Sequence, residues 1–354
     1  KRGILMSFTN NKKHYKILFS VLVLILLILV IISSTLGIAN ITFFQTMKIL
    51  ASKLPFIGKY INTEGISNTH TLIILNIRLP RIVLAALIGA GLSIVGTVFQ
   101  ALFKNPMADP YVLGISSGSA LGASIAIIIG FQTILGVGGI TFFAFIGAIL
   151  TTIVVYNIAK VGTKLPTNTL LLAGVSVSFL LSSLISLIMI FNREQVDQIV
   201  FWTMGSLSSA NWKQVFSLLP FIFISSILIF SYSKDLNVIL TGDETASSLG
   251  IEVEMVKKIL IIISSIIIAA CVSVSGIIGF VGLIIPHMIR MLVGPDNRVL
   301  LPFSALGGAI FMIISDTLAR ILVPPAEIPV GAITSIFGAP YFIYLLIKNK
   351  KKVM

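Results

Sequence analysis

Apolar runs of the length that crosses a bilayer recur along this chain and restrict it to one class of fold. A spanning helix needs about 20 consecutive apolar residues, and the run from Ile17 to Leu36 carries no charge. Comparable runs lie near 82–103, 112–130, 140–159, 170–191, 215–233, 303–323 and 330–347. The stretch 259–293 is ambiguous, too long for one helix and barely enough for two. The even number of spans that two basic chain ends require decides for two, and the glycines at 276, 279 and 282 offer a place to turn, giving short spans at 259–275 and 278–293. A membrane β-barrel would instead alternate apolar and polar residues in segments of about 10. Of the 354 residues only 10% are charged, where a soluble domain carries roughly a quarter. The expectation is an all-α polytopic membrane protein with ten transmembrane helices, forming one transmembrane domain over residues 1–354.

Charge placement orients the chain. Both ends are basic, through Lys12, Lys13 and Lys16 at one and Lys348, Lys350, Lys351 and Lys352 at the other. Lysine and arginine collect on the cytoplasmic side of membrane helices, so both termini are expected in the cytoplasm, which requires an even number of spans. The same rule accounts for the net charge of +13 without nucleic-acid binding. The basic flank of the first run mimics a signal peptide, but the run is too long and lacks a cleavage site, so it reads as an uncleaved helix. The single cysteine, Cys271, sits in an apolar run and excludes a disulfide framework or a cysteine metal site. Outer segments are expected at 37–76 and 192–213, and a charged cytoplasmic segment at 234–258.

Ion-coupled transporters place carboxylates or histidines at mid-membrane. Of the twelve acidic residues only Asp316 falls inside a span, one helical turn from Arg320, which suits a structural ion pair better than a proton relay. There is no G-x-x-x-x-G-K-[ST] phosphate loop and no nucleophile–base set, so neither an enzyme site nor a cofactor is expected. Uphill transport would need energy from a partner, delivered on the cytoplasmic face. The segment Leu240–Ile251 suits that purpose. Thr241 and Glu244 have capping-box spacing, Asp243 and Glu244 suit a first turn, and Gly250 is placed to stop the helix. This predicts a two-turn helix with Ala246 and Leu249 on one side.

The pattern Gly242-Asp243…Ala246…Leu249-Gly250 resembles the coupling loop of the FecCD-type permeases, which serve iron-siderophore, heme and cobalamin importers. Further blocks are similar in order along the chain: Arg78-Leu79-Pro80-Arg81, Gln100 to Pro110, Leu171 to Val175, Gly279 to His287, Arg298 to Pro302, Glu327 to Gly331 and Gly338-Ala339-Pro340. The resemblance implies a type II ATP-binding-cassette (ABC) importer permease in the bacterial inner membrane. It also implies a homodimer or paralogous heterodimer of permeases, two cytoplasmic ATPase subunits and an extracellular or periplasmic binding protein. An iron chelate (siderophore or heme) is the expected cargo, with cobalamin as the alternative. It assigns Arg78, Arg81 and Arg320 to binding-protein docking. Thr241, Gly242, Asp243, Glu244, Ala246, Leu249 and Gly250 are assigned to ATPase coupling. Asn105, Met107, Thr167 and Asn168 match the cytoplasmic gate, although Asn168 and the preceding Pro166 depart from the small hydroxyls usual at the second place. The serines of the fifth span (Ser176, Ser178, Ser182, Ser183, Ser186) can serve helix packing or line a path.

Overall fold

The computed structural model describes residues 12–53, 55, 58–61, 65–131, 137–162 and 164–350; Lys1, Arg2, Lys351 and Lys352 of the basic termini lie outside them. Every described apolar run is helical, and no strand occurs among the described residues beyond an isolated bridge between Val161 and Lys164. Seven helical runs are long and apolar enough to cross a membrane, and three shorter apolar helices accompany them.

The chain opens with α1 (Lys12–Thr35), then α2 (Phe43–Ser52). A short helix Asn68–Leu72 and a π-helical turn Ile73–Arg78 lead without interruption into α3 (Leu79–Leu102). Next come α4 (Ile115–Ile129), α5 (Val137–Ala159) and α6 (Thr167–Phe191). The short α7 (Val196–Thr203) precedes α8 (Trp212–Ser231), α9 (Ser233–Ile239) and α10 (Asp243–Ser248). The chain ends with α11 (Val253–Ser275), α12 (Val281–Val293), α13 (Asn297–Ile321) and α14 (Val330–Lys350).

The segments expected as outer loops contain helices. α2 is held by a capping box in which the Thr42 hydroxyl accepts from Gln45 N and the Gln45 side chain accepts from Thr42 N. α7 turns back and packs on α4.

α3 is the axis of the molecule. Its residues from Ile82 to Leu102 are largely buried, and α13 lies along it in the most extensive helix pair of the described residues. In lipid, helices gain little from burying apolar surface against one another, so close packing through small residues takes over. Gly89 of α3 meets Gly308 of α13, and Gly96 meets Gly282 of α12. A Cβ at Gly89, Gly96 or Gly308 would run into the facing glycine's carbonyl oxygen. By contrast α1, α6 and α8 expose rows of large apolar side chains, among them Leu24, Phe179 and Phe223.

The chain breaks between α11 and α12 as the glycines suggest. Gly276 and Phe280 both have positive φ (69° and 68°). Irregular backbone at membrane depth must find its partners inside the protein; here the Tyr111 hydroxyl donates to the Ile278 carbonyl at 2.9 Å.

Candidate functional site

α3 carries a polar cluster at each end. At its N-terminal end Arg81 sits between two carboxylates. Its Nε donates to Asp316 Oδ1 at 2.9 Å, and its Nη1 donates to both oxygens of Glu327 at 3.0 and 2.9 Å. Arg320 lies 3.2 Å from the other Asp316 oxygen, one helical turn away on α13. Asp316 therefore has Arg81 as its shorter partner, and the two-residue pair expected with Arg320 is one side of a larger network. Arg81 is 235 residues from Asp316 in sequence, and Glu327 lies on the segment past the end of α13, so no helical spacing rule links them.

The same arginines bind the end of α1. The last carbonyls of a helix have no partners within it and carry the negative end of its dipole. Arg78 Nη1 donates to Ser34 O and Thr35 O, both at 2.8 Å, and its Nη2 donates to Ala39 O at 2.9 Å. Arg320 Nη2 donates to the Ser33 hydroxyl at 2.8 Å. Gly37, at φ 152°, leaves room for Arg78: a Cβ there would come within 2.7 Å of Nη2. An exposed docking row of Arg78, Arg81 and Arg320 is not what the structure presents. All three are buried, at 5%, 7% and 7% exposure, because leaving a guanidinium unpaired at this depth would cost more than turning it inward.

At the opposite end lies α10. Asp243 in its first turn accepts from Lys104, just past the end of α3, at 2.7 Å and from Lys257 of α11 at 2.5 Å. Ala246 is fully buried against this support, whereas Leu249 is 67% exposed. The two do not share a face, contrary to the periodicity reading, because the helix is too short and its last residue peels into the cap. The cap itself is complete: Gly250 has φ 84°, its N–H donates to Ser247 O at 3.0 Å, and Ile251 N donates to Ala246 O at 3.1 Å, satisfying two orphan carbonyls. The start differs from expectation. Gly242 is the N-cap, with no side-chain cap, and Thr241 donates its hydroxyl back to Val238 O at 2.7 Å. Thr241 is drawn off by the end of α9, so the capping box with Glu244 does not form.

Partial burial pushes the Asp243 carboxyl up, but the bonds from Lys104 and Lys257 outweigh it and hold it below the ordinary 3.8. A depressed carboxylate stabilises the fold above its unfolded value, and that contribution is lost as pH falls through its folded value. Hydrogen exchange of the α10 amides is therefore expected to stay slow from pH 7 to about 4 and to accelerate below that, after correction for intrinsic rates. Flat protection down to pH 2 would contradict the arrangement.

The gate candidates flank this cluster. Asn105 is exposed and its side chain accepts from Met107 N at 2.9 Å. Thr167 and the exposed Asn168 open α6 immediately after Leu165, whose N–H is held by Glu254 at 2.8 Å. Glu254 lies on α11, 4.0 Å from Lys257, and Asn105 follows Lys104, so both gate segments adjoin residues that support α10. Along α6, Ser178 faces inward and donates to Gly174 O, while Ser176, Ser182, Ser183 and Ser186 are exposed; those four do not pack within the single chain. Among the described residues no group of three His, Cys, Asp or Glu could hold a metal ion.

A family model described as the FecCD transport family matches residues 25–348. The cobalamin import system permease protein BtuC of Halobacterium salinarum is 44% identical over 80% of this chain and 75% of its own length. The hemin transport system permease protein HmuU of Yersinia pestis is 41% identical over 78% of this chain and 84% of its own length. A solved structure, described as an inward-facing conformation of a metal-chelate type ABC transporter, superposes with a TM-score of 0.80 at 33% identity. It covers 94% of this chain and 99% of the solved one.

Proposed function

Since the chain belongs to the FecCD transport family, and so is a permease subunit of an ABC importer in the cell membrane, we propose that it carries an iron chelate inward by alternating access between two permease copies. The seven long and three short apolar helices serve as ten spans with both termini in the cytoplasm. α10 is then the cytoplasmic lever and the Arg78, Arg81 and Arg320 cluster lies at the outer mouth. Two ATPase subunits bind below, and a substrate-binding protein docks above.

The observation that carries this reading is the anchoring of α10. One carboxylate, Asp243, ties it to both α3 and α11, so a push on α10 moves the helices that hold the gate segments. Nothing in the described membrane interior offers an alternative drive, since Asp316 is already engaged by two arginines. At the outer end, three guanidiniums face two carboxylates, which leaves a positive charge. Glu327 is the more exposed of the two, with its side chain 36% accessible. A carboxylate of a binding protein can displace it from Arg81 by partner exchange, which reconciles docking with burial. Iron chelates are preferred as cargo because a hemin permease and a metal-chelate transporter are both similar over most of the chain. The similar cobalamin permease supports the same machinery with a different cargo.

The test is reconstitution in liposomes with and without the partner ATPase, supplying hemin, a ferric hydroxamate or cobalamin through the matching binding protein. Uptake is expected only with ATPase and ATP, and for an iron chelate above cobalamin. Uptake driven by an ion gradient without the ATPase would sink the reading.

A further inference from the structure

A cavity of about 620 Å³ opens between α5, α8 and α11, away from both polar clusters. It lies at the end of the molecule that carries the arginines, since Trp212 at the start of α8 donates to Leu75 O at 2.9 Å, three residues before Arg78. Its size suits a small amphiphile. Its lining is polar at one side and aromatic at the other.

The polar side is built around Gln214. This residue is buried, at 8% exposure, and is fixed in the first turn of α8 by Asn211, whose side-chain oxygen accepts from Gln214 N at 3.1 Å. Asn211 also reaches Gln214 Oε1, at 3.5 Å. Gln214 Nε2 is left without a partner among the described residues. A buried amide donor with no acceptor costs about 1–3 kcal/mol, so its presence asks for an acceptor from outside the chain. Lys213 stands beside it, exposed and with no carboxylate partner among the described residues. The N-terminal end of α8 adds the positive end of a helix dipole. All three features favour an anion. The other side is formed by Phe142, Phe145 and Phe221, with the last two rings 5.6 Å apart. Water could satisfy Gln214 but would gain nothing from the phenylalanine wall.

We infer that this cavity binds an anionic membrane phospholipid, its phosphate accepting from Gln214 Nε2 and pairing with Lys213, and its upper acyl chain lying against Phe142, Phe145 and Phe221. The phosphate supplies the missing acceptor, and the chain covers apolar surface that opens to the bilayer.

The full chain, purified in mild detergent, would be titrated with phosphatidylglycerol and with phosphatidylcholine and read by native mass spectrometry. Phosphatidylglycerol is expected to be retained in preference to phosphatidylcholine. Gln214→Leu, which keeps the volume, is expected to weaken that retention about tenfold, as loss of a bond to a charged group implies. Gln214→Glu, which keeps the shape and opposes the phosphate, should weaken it further. Unchanged thermal unfolding of both variants without lipid would exclude misfolding as the cause. Equal retention of both lipids, or retention unaffected by either variant, overturns the inference. Glycerol 3-phosphate binding as tightly as the lipid would also overturn it, by making this a site for soluble anions. So would competitive displacement by a ferric chelate, which would place the cavity on the transport path.

Discussion

Leu249→Asp is expected to abolish ATP-driven uptake while leaving the permease folded. The side chain is 67% exposed, so the substitution removes no internal packing and should leave thermal unfolding unchanged. Yet in the proposed orientation a large apolar side chain at this end of the molecule, on the tip of a helix between spans, would have no lipid to cover it. Its exposure suits a partner's pocket, and truncating such an anchor typically costs 2–4 kcal/mol of binding. Placing a charge there is expected to weaken association with the ATPase on the order of 100-fold. Copurification and ATP-dependent uptake would both report it. If the variant keeps wild-type complex yield and wild-type uptake, α10 is not the coupling element. Ala246 offers the internal contrast. It is fully buried, so a bulky residue there should lower the unfolding temperature before any question of coupling arises.

Arg81→Leu should produce the largest loss of stability of any single change at the other end. Arg81 binds two carboxylates from different segments and is 7% exposed. Glu327 can turn toward solvent, but Asp316 is 1% exposed and would keep only Arg320. Breaking a buried pair by removing one partner costs about 3–5 kcal/mol, whereas replacing the whole pair by apolar groups is often neutral. The double variant Arg81→Leu with Asp316→Leu should therefore be more stable than Arg81→Leu alone. Fluorescence-detected thermal unfolding in detergent would measure both, and a double variant less stable than the single one would falsify the assignment.

What the sequence makes legible follows from the reach of each rule. Among the described residues, the length and purity of apolar runs mark eight of the ten long or short apolar helices, because a helix in lipid must satisfy its own backbone and cannot borrow from afar. The glycines of 276–282 mark the break between α11 and α12 for the same reason. Capping rules fare differently. Thr241 and Glu244 have the right spacing but no capping box, because the carbonyl of Val238 captures the threonine first. Thr42 and Gln45 have the same T-x-x-[EQ] spacing inside a segment read as loop, and they form the box; the signal was present and local, and hydropathy concealed it. The pairing of Arg320 with Asp316 was legible from their i, i+4 spacing, but the inward turn of Arg78 and Arg81 was not, because it depends on carbonyls near the end of α1, on Asp316 and on Glu327. Nor was Gln214, whose significance rests on an amide left over once Asn211 is accounted for.

The glycine contacts of α3 have a thermodynamic consequence. A helix of 24 residues is about 36 Å long; this one begins beside Arg81 and ends beside Lys104, and Gly89 and Gly96 pack it backbone to backbone against α13 and α12. At those four glycines backbone meets backbone, with Ser93, Met312 and Pro110 packed tightly beside them, so a displacement of one helix is passed to the next. Two ligands that meet on such a rod are linked. Under the proposed arrangement, whatever factor an arrival at the arginine end contributes to ATPase affinity at the Asp243 end, the ATPase must return to the arrival, because a coupling free energy has no direction. An importer built in this proposed way would need no separate signal to report a loaded outer mouth to the motor: the report would be the same quantity as the motor's preference for a permease whose mouth is occupied.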